Sequence, residues 1–106
     1  MYKLAKKLFF YAVGQRKKIR NILFPTAHII LYHRVEDVQN DPNKLCVSKE
    51  NFYKQIKFLK NNFKIVPLVK LVQDVRAEKV QNNTIAITFD DGYADNLHNA
   101  LSVLEE

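Results

Sequence analysis

The sequence predicts an α/β fold with parallel strands. Two short apolar runs rich in strand-forming residues, at residues 28–35 and 84–89, are each followed by turn residues. Two stretches between them place apolar residues at helical spacing, and helical spacing returns after the second run. Strands that alternate with helices run side by side in one direction, because each helix carries the chain back across the sheet. Of the 106 residues, 47% are hydrophobic, which is enough to bury a core and excludes a disordered tail. Two Gly and three Pro exclude collagen-like and low-complexity classes. The single Cys46 excludes an internal disulfide framework and a cysteine-based zinc site.

Charge divides the chain into an arm, residues 1–25, and a body, residues 26–106. Seven of the 17 basic residues (Lys3, Lys6, Lys7, Arg16, Lys17, Lys18 and Arg20) fall in the first 20 positions and the first acid is Glu36, so the rest of the chain carries ten basic against 11 acidic residues. The positive charge therefore belongs to the arm, and no nucleic-acid motif accompanies it, so nucleic acid is not expected as a partner. Leu4, Leu8, Tyr11 and Ala12 share one helical face, as do Ile19, Ile22 and Leu23. Gly14 between them costs about 1 kcal/mol of helix stability relative to Ala and allows two shorter helices. The run Leu8–Val13 is too short to span a bilayer, and Arg16-Lys17-Lys18 follows it where a signal peptide has small residues. A cytoplasmic or membrane-peripheral location is expected. Two readings of the arm stand side by side: a helix packed on the body, or a basic amphipathic helix on an anionic membrane with Phe9 and Phe10 in the interface.

In the body, Pro25-Thr26 marks the boundary. The run His28–Val35 reads as one strand with an almost continuously apolar centre, which suits a parallel sheet covered on both faces. Residues 36–45 form a polar loop. Ser48 is placed to cap a helix with Glu50 in its first turn, and Phe52, Ile56, Leu59 and Phe63 form its buried face. Asn61-Asn62 ends it, and residues 63–66 suit a short strand. Pro67 fits the first position of a second helix whose buried stripe is Leu68, Leu71, Val72 and Val75. Gln81-Asn82-Asn83 breaks the chain before the strand Thr84–Phe89, and Leu97, Ala100, Leu101 and Leu104 then mark a last helix.

The chemistry lies in Thr88-Phe89-Asp90-Asp91-Gly92-Tyr93-Ala94-Asp95-Asn96. Two adjacent carboxylates at the C-terminal end of a buried strand occupy the position where α/β proteins place their ligands. Neighbouring side chains of a strand face opposite ways, so both serve one site only if the strand has ended, and Gly92 is free to turn. A divalent metal would relieve the repulsion, with one Asp as ligand and the other free to take a proton. Asp-Gly is also a hairpin signal, but a helical pattern follows it and not a second strand. Asp91 or Asp95 as the cap of the last helix is the alternative structural role. A calcium loop beginning at Asp91 would need Glu where Ser102 stands.

The order Ile30-Leu31-Tyr32-His33-Arg34-Val35, Val47-Ser48-x-Glu50-x-Phe52 and Ile85-Ala86-Ile87-Thr88-Phe89-Asp90-Asp91-Gly92-Tyr93-x-Asp95-Asn96 resembles the N-terminal part of NodB-type polysaccharide deacetylases, carbohydrate esterase family 4. The resemblance implies the N-terminal portion of a distorted (β/α) barrel, preceded by the basic amphipathic helix. It implies metal-dependent hydrolysis of acetyl groups from a polysaccharide, with a divalent ion, zinc first among candidates. Carried over, Asp90 is the general base and Asp91 a metal ligand, while His33 and Tyr93 line the active site. The family's later His-x-x-x-His motif is not in this chain, whose histidines are His28, His33 and His98. Its 106 residues also fall short of the ~200 that a complete barrel needs. The expectation is thus an incomplete and inactive opening portion, its partner the missing C-terminal part of the domain, with strand 85–89 left at an unpaired sheet edge. The alternative is a small membrane-surface or partner-binding protein acting through its basic helix.

Overall fold

The computed structural model describes residues 25–106. The arm up to Phe24, with its helical faces and seven basic residues, lies outside the described residues. In chain order the elements are β1 (Ala27–Tyr32), β2 (Arg34–Val35), β3 (Cys46–Val47), α1 (Lys49–Asn62), β4 (Lys64–Ile65), α2 (Leu68–Arg76) and β5 (Thr84–Phe89). A π-helical turn, Asn96–Ala100, then runs into α3 (Leu101–Glu105). The architecture is mixed α/β, and every strand pair is parallel. Among the described residues no helix is long and apolar enough to cross a membrane.

The main sheet has the order β1-β5-β4. β1 and β5 pair over their whole length, from Ala27 opposite Thr84 to Tyr32 opposite Phe89. β4 joins the other edge of β5, with Lys64 opposite Thr84 and Ile65 opposite Ile85. The expectation of an unpaired edge along residues 85–89 is therefore corrected for the start of β5, while β4 does not extend its pairing to Ala86–Phe89. β5 is central because the two-residue β4 fits beside its first half, donating from Lys64 N to Asn83 O at 2.8 Å and from Val66 N to Ile85 O at 2.9 Å.

The 28–35 run is not one strand. It breaks at His33, and the short β2 leaves the main sheet to pair with β3, Arg34 opposite Cys46 and Val35 opposite Val47. The loop between β2 and β3 is closed by Asp41, whose carboxylate accepts from Leu45 N at 3.0 Å and Cys46 N at 2.8 Å.

Helix α1 starts where the sequence indicates. Ser48 Oγ accepts from Asn51 N at 3.2 Å, and Phe63 closes the helix by donating its N–H to Leu59 O at 2.8 Å. Its stripe Phe52, Ile56 and Leu59 is buried against Tyr32, Val35 and Ile85, with Ile30, Ile87 and Phe89 packed around them. Three rings form the centre: Tyr32 meets Phe52 edge-on at 5.0 Å and stacks on Phe89 at 5.6 Å, with Phe52 and Phe89 6.1 Å apart.

The other sheet face is covered less. Helix α2 buries Leu71, and Ala86 of β5 is fully buried, but Leu68, Val72 and Val75 of the predicted stripe are exposed. Pro67 is the residue before the helix and not its first residue. β1 is likewise not covered on both faces: Ile29 is 57% and Leu31 48% exposed. One nine-residue helix is too short to shield both β5 and β1. In the last helical region Ala100 is buried and Val103 packs on the core, whereas Leu97, Leu101 and Leu104 face outward. A π turn has a wider period than an α-helix, so spacing read at 3.6 residues per turn misplaces the stripe.

Phe52 is fully buried in the aromatic centre. Phe52→Ala should cost about 3–5 kcal/mol, a large share of a small domain's stability, read as a lowered urea midpoint. The amides of Cys46 and Leu45 hold the Asp41 carboxyl below its ordinary value of 3.8. A carboxyl with a depressed folded-state pKa contributes stability above its unfolded pKa and loses it as pH falls through the folded one. Asp41→Asn should therefore lower Tm at pH 7, with a deficit that narrows on acidification below about pH 4.

Candidate active site

β1 and β5 end side by side, and this brings residues 58 apart in sequence together. The last rung of the ladder is Asp90 N donating to Tyr32 O at 2.9 Å. Beyond it the chain turns through two successive left-handed residues, Asp91 at φ 68° and Gly92 at φ 62°. Such conformations cost a side chain about 1–2 kcal/mol, which Gly avoids and Asp tolerates better than most residues. The turn ends the alternation of the strand, so the two carboxylates are no longer held to opposite faces.

The two acids have different surroundings. Asp91 Oδ2 lies 2.9 Å from His33 Nδ1. An ionised carboxylate only accepts, so this contact calls for the hydrogen on Nδ1. Asp90 is exposed, and among the described residues its carboxylate has no hydrogen-bond or ion-pair partner. Tyr93 is 37% exposed, and its ring carries the Arg34 guanidinium, whose carbon is 4.7 Å from the ring centroid. The structure thus gathers His33, Asp90, Asp91 and Tyr93 at one end of the sheet, while His98 is exposed on the helical segment.

Behind the turn lies a buried seam. Asp95 is only 8% exposed, and its carboxylate accepts from Arg34 Nε at 2.9 Å and Val35 N at 3.3 Å. Asn96 Nδ2 donates to His33 O at 3.1 Å. Asn99 Nδ2 donates to Val35 O at 2.7 Å and reaches Glu36 Oε2 at 3.2 Å. Of the two capping candidates, Asp95 does stand at the N-cap position of the last helical segment, but its side chain makes no capping hydrogen bond and points back to the strand, while Asp91 is engaged by His33.

The solved structures that match the chain include two polysaccharide deacetylases. A polysaccharide deacetylase from Bacillus cereus (BC0361) is 34% identical with a TM-score of 0.60. A protein from Bacillus anthracis assigned as a polysaccharide deacetylase (BA0330) is 33% identical with a TM-score of 0.59. Each match covers 74% of this chain. The chain resembles the polysaccharide deacetylases. It spans about a quarter of the length of these deacetylase structures, 24% in both cases. No protein-family model and no curated protein matches it.

The deacetylase resemblance raises the matter of a metal. Among the described residues no three or more His, Cys, Asp or Glu side chains gather into a site that could hold an ion. His33 and Asp91 meet as a pair, whereas zinc sites take three or four protein ligands. The described residues alone do not fit the ion.

The sequence reading missed the seam. Arg34 and Asn96 stand in the quoted motifs without a role, Asp95 has only that of a helix cap, and Asn99 is not in them. One signal was available: a lone arginine in an apolar run.

Two outcomes are expected. Zinc titrated into the chain should bind no more tightly than millimolar by calorimetry, because two ligands do not make a zinc site. A Cβ on Gly92 would meet nothing within 4 Å, so Gly92→Ala should cost only backbone strain, about 1–2 kcal/mol by urea unfolding, and Gly92→Asn less.

Proposed function

We propose that the chain supplies the base-bearing strand ends of a polysaccharide deacetylase, a hydrolase that removes acetyl groups from an acetylated glycan. The observation that carries this reading is the pairing of a free carboxylate, Asp90, with an engaged one, Asp91, beside His33 at the C-terminal ends of two parallel strands. The similarity to deacetylase structures at about one-third identity supports it.

In this reading Asp90 accepts a proton from water. The water oxygen attacks the acetyl carbonyl carbon, and the carbon–nitrogen bond of the acetamide breaks to release acetate and the free amine. Asp90 suits the task because it is exposed and commits no lone pair to a neighbour among the described residues. Asp91 and His33 hold each other at the rim, and Tyr93 lines the approach with its ring fixed under Arg34. The zinc or other divalent ion of the family needs ligands besides these, and no step above is assigned to it. The groups that would protonate the leaving nitrogen have no counterpart assigned among the described residues, so the chain alone is proposed to be inactive.

The test is acetate release from a partially N-acetylated glucosamine oligomer. The 106-residue chain should release none above background. A protein carrying the same residues within a frame extended beyond Glu106 should release acetate, and Asp90→Asn should reduce its rate by about 100- to 10,000-fold. Undiminished release by that variant would remove Asp90 from the role of base.

A further inference from the structure

The seam behind the turn is more than packing. Arg34 follows His33 directly, and Asp95 lies three residues beyond Gly92, so the ion pair joins the two segments that carry the site. One end of the turn is fixed by the Asp90–Tyr32 rung. Between that rung and Asp95 stand two left-handed residues and the exposed Tyr93. A strained turn keeps its conformation only where both ends are held. The Arg34–Asp95 pair holds the second end, and the Arg34 face resting on Tyr93 holds the middle.

Stability alone does not account for this choice of residues. Taking a carboxylate out of water is expensive, and well-packed apolar residues often serve stability as well as a buried ion pair does. The pair offers direction instead: a planar donor, a fixed Nε–Oδ2 bond and a second bond from Asp95 to the Val35 amide. Asn96 adds a bond to the His33 carbonyl, so the backbone carrying His33 is fixed from the same segment.

We propose that Arg34 and Asp95 are positioning residues: their ion pair sets the Asp90–Gly92 turn so that Asp91 meets His33 and leaves Asp90 free. This deepens the deacetylase reading, since it concerns the geometry of the proposed base, but its test needs no acetate release. Loss of the latch and loss of the enzymatic reading are therefore separate outcomes.

The experiment is nitrogen NMR of the histidine rings in the 15N-labelled 106-residue chain, at a pH where the rings are neutral. The exposed His98 serves as the internal reference. In the wild type, the Asp91 contact should hold His33 as the Nδ1–H tautomer. In Arg34→Gln and in Asp95→Asn, the His33 ring nitrogens should move toward the values of His98, while the Ile85–Ile87 amides keep their protection from exchange. A merely structural pair would alter stability without changing that tautomer. A folded Arg34→Gln or Asp95→Asn chain with wild-type His33 signals overturns the proposal. Should both fail to fold, Arg34→Lys decides: it keeps the charge but loses the planar donor and the stacking on Tyr93. A partial move of His33 supports the latch, and no move overturns it.

Discussion

The parallel pairing of β1 with β5 is the constraint on which the remainder depends. Its register sets Tyr32 opposite Phe89, so both strands stop at the same level. His33 and Asp90 are the next residues on each side, and their proximity follows from that alignment. Side chains alternate along a strand, so a slip of β1 by one residue would send Ile30 and Tyr32 to the face opposite Ile85 and Ile87. The apolar core fixes the register, and the register fixes the site.

The core is also concentrated where the site needs support. Tyr32 and Phe89, the final pair of the ladder, are two of the three rings at the centre of the fold, and Phe52 of α1 is the third. Burial pushes the Tyr32 hydroxyl above its ordinary pKa, and its O–H donates to Gln55 at 2.8 Å, so the ring keeps a polar tether. The turn at Asp91 and Gly92 therefore springs from the best-packed layer. The opposite sheet face, where Ile29 and Leu31 lie open, does not support the turn in this way.

What the sequence revealed and what it concealed divide along physical lines. Signals confined to a short window were legible. The Ser48 cap, the Phe52–Ile56–Leu59 face and the end of β5 before Asp90 each depend on neighbours within a turn or two. Properties set by distant segments were not. The central place of β5 depends on β4 pairing from the other side, which two residues, Lys64 and Ile65, hardly announce. The break at His33 depends on β2 finding β3 across a ten-residue polar loop. The exposure of Val72 and Val75 depends on what lies above α2, and a periodic stripe does not specify its cover. Asp95 failed as a cap for a related reason: a remote arginine and a strand amide offered its carboxylate stronger partners than its own helix.

The same competition explains how two identical neighbouring side chains take different roles. Asp90 and Asp91 differ by one position, and no property of aspartate distinguishes them. Backbone geometry does. Asp90 still obeys the sheet through its amide, while Asp91 has passed into the left-handed region and swings its carboxylate across to the other strand end. His33 waits there because β1 has just ended, its carbonyl held by Asn96. One carboxylate is thereby occupied and the other left open to solvent. Two adjacent carboxylates competing for the same donors would repel, and one would tend to hold its proton. Directing them apart by a turn that Gly92 permits leaves Asp91 on His33 and the Asp90 carboxylate open to solvent.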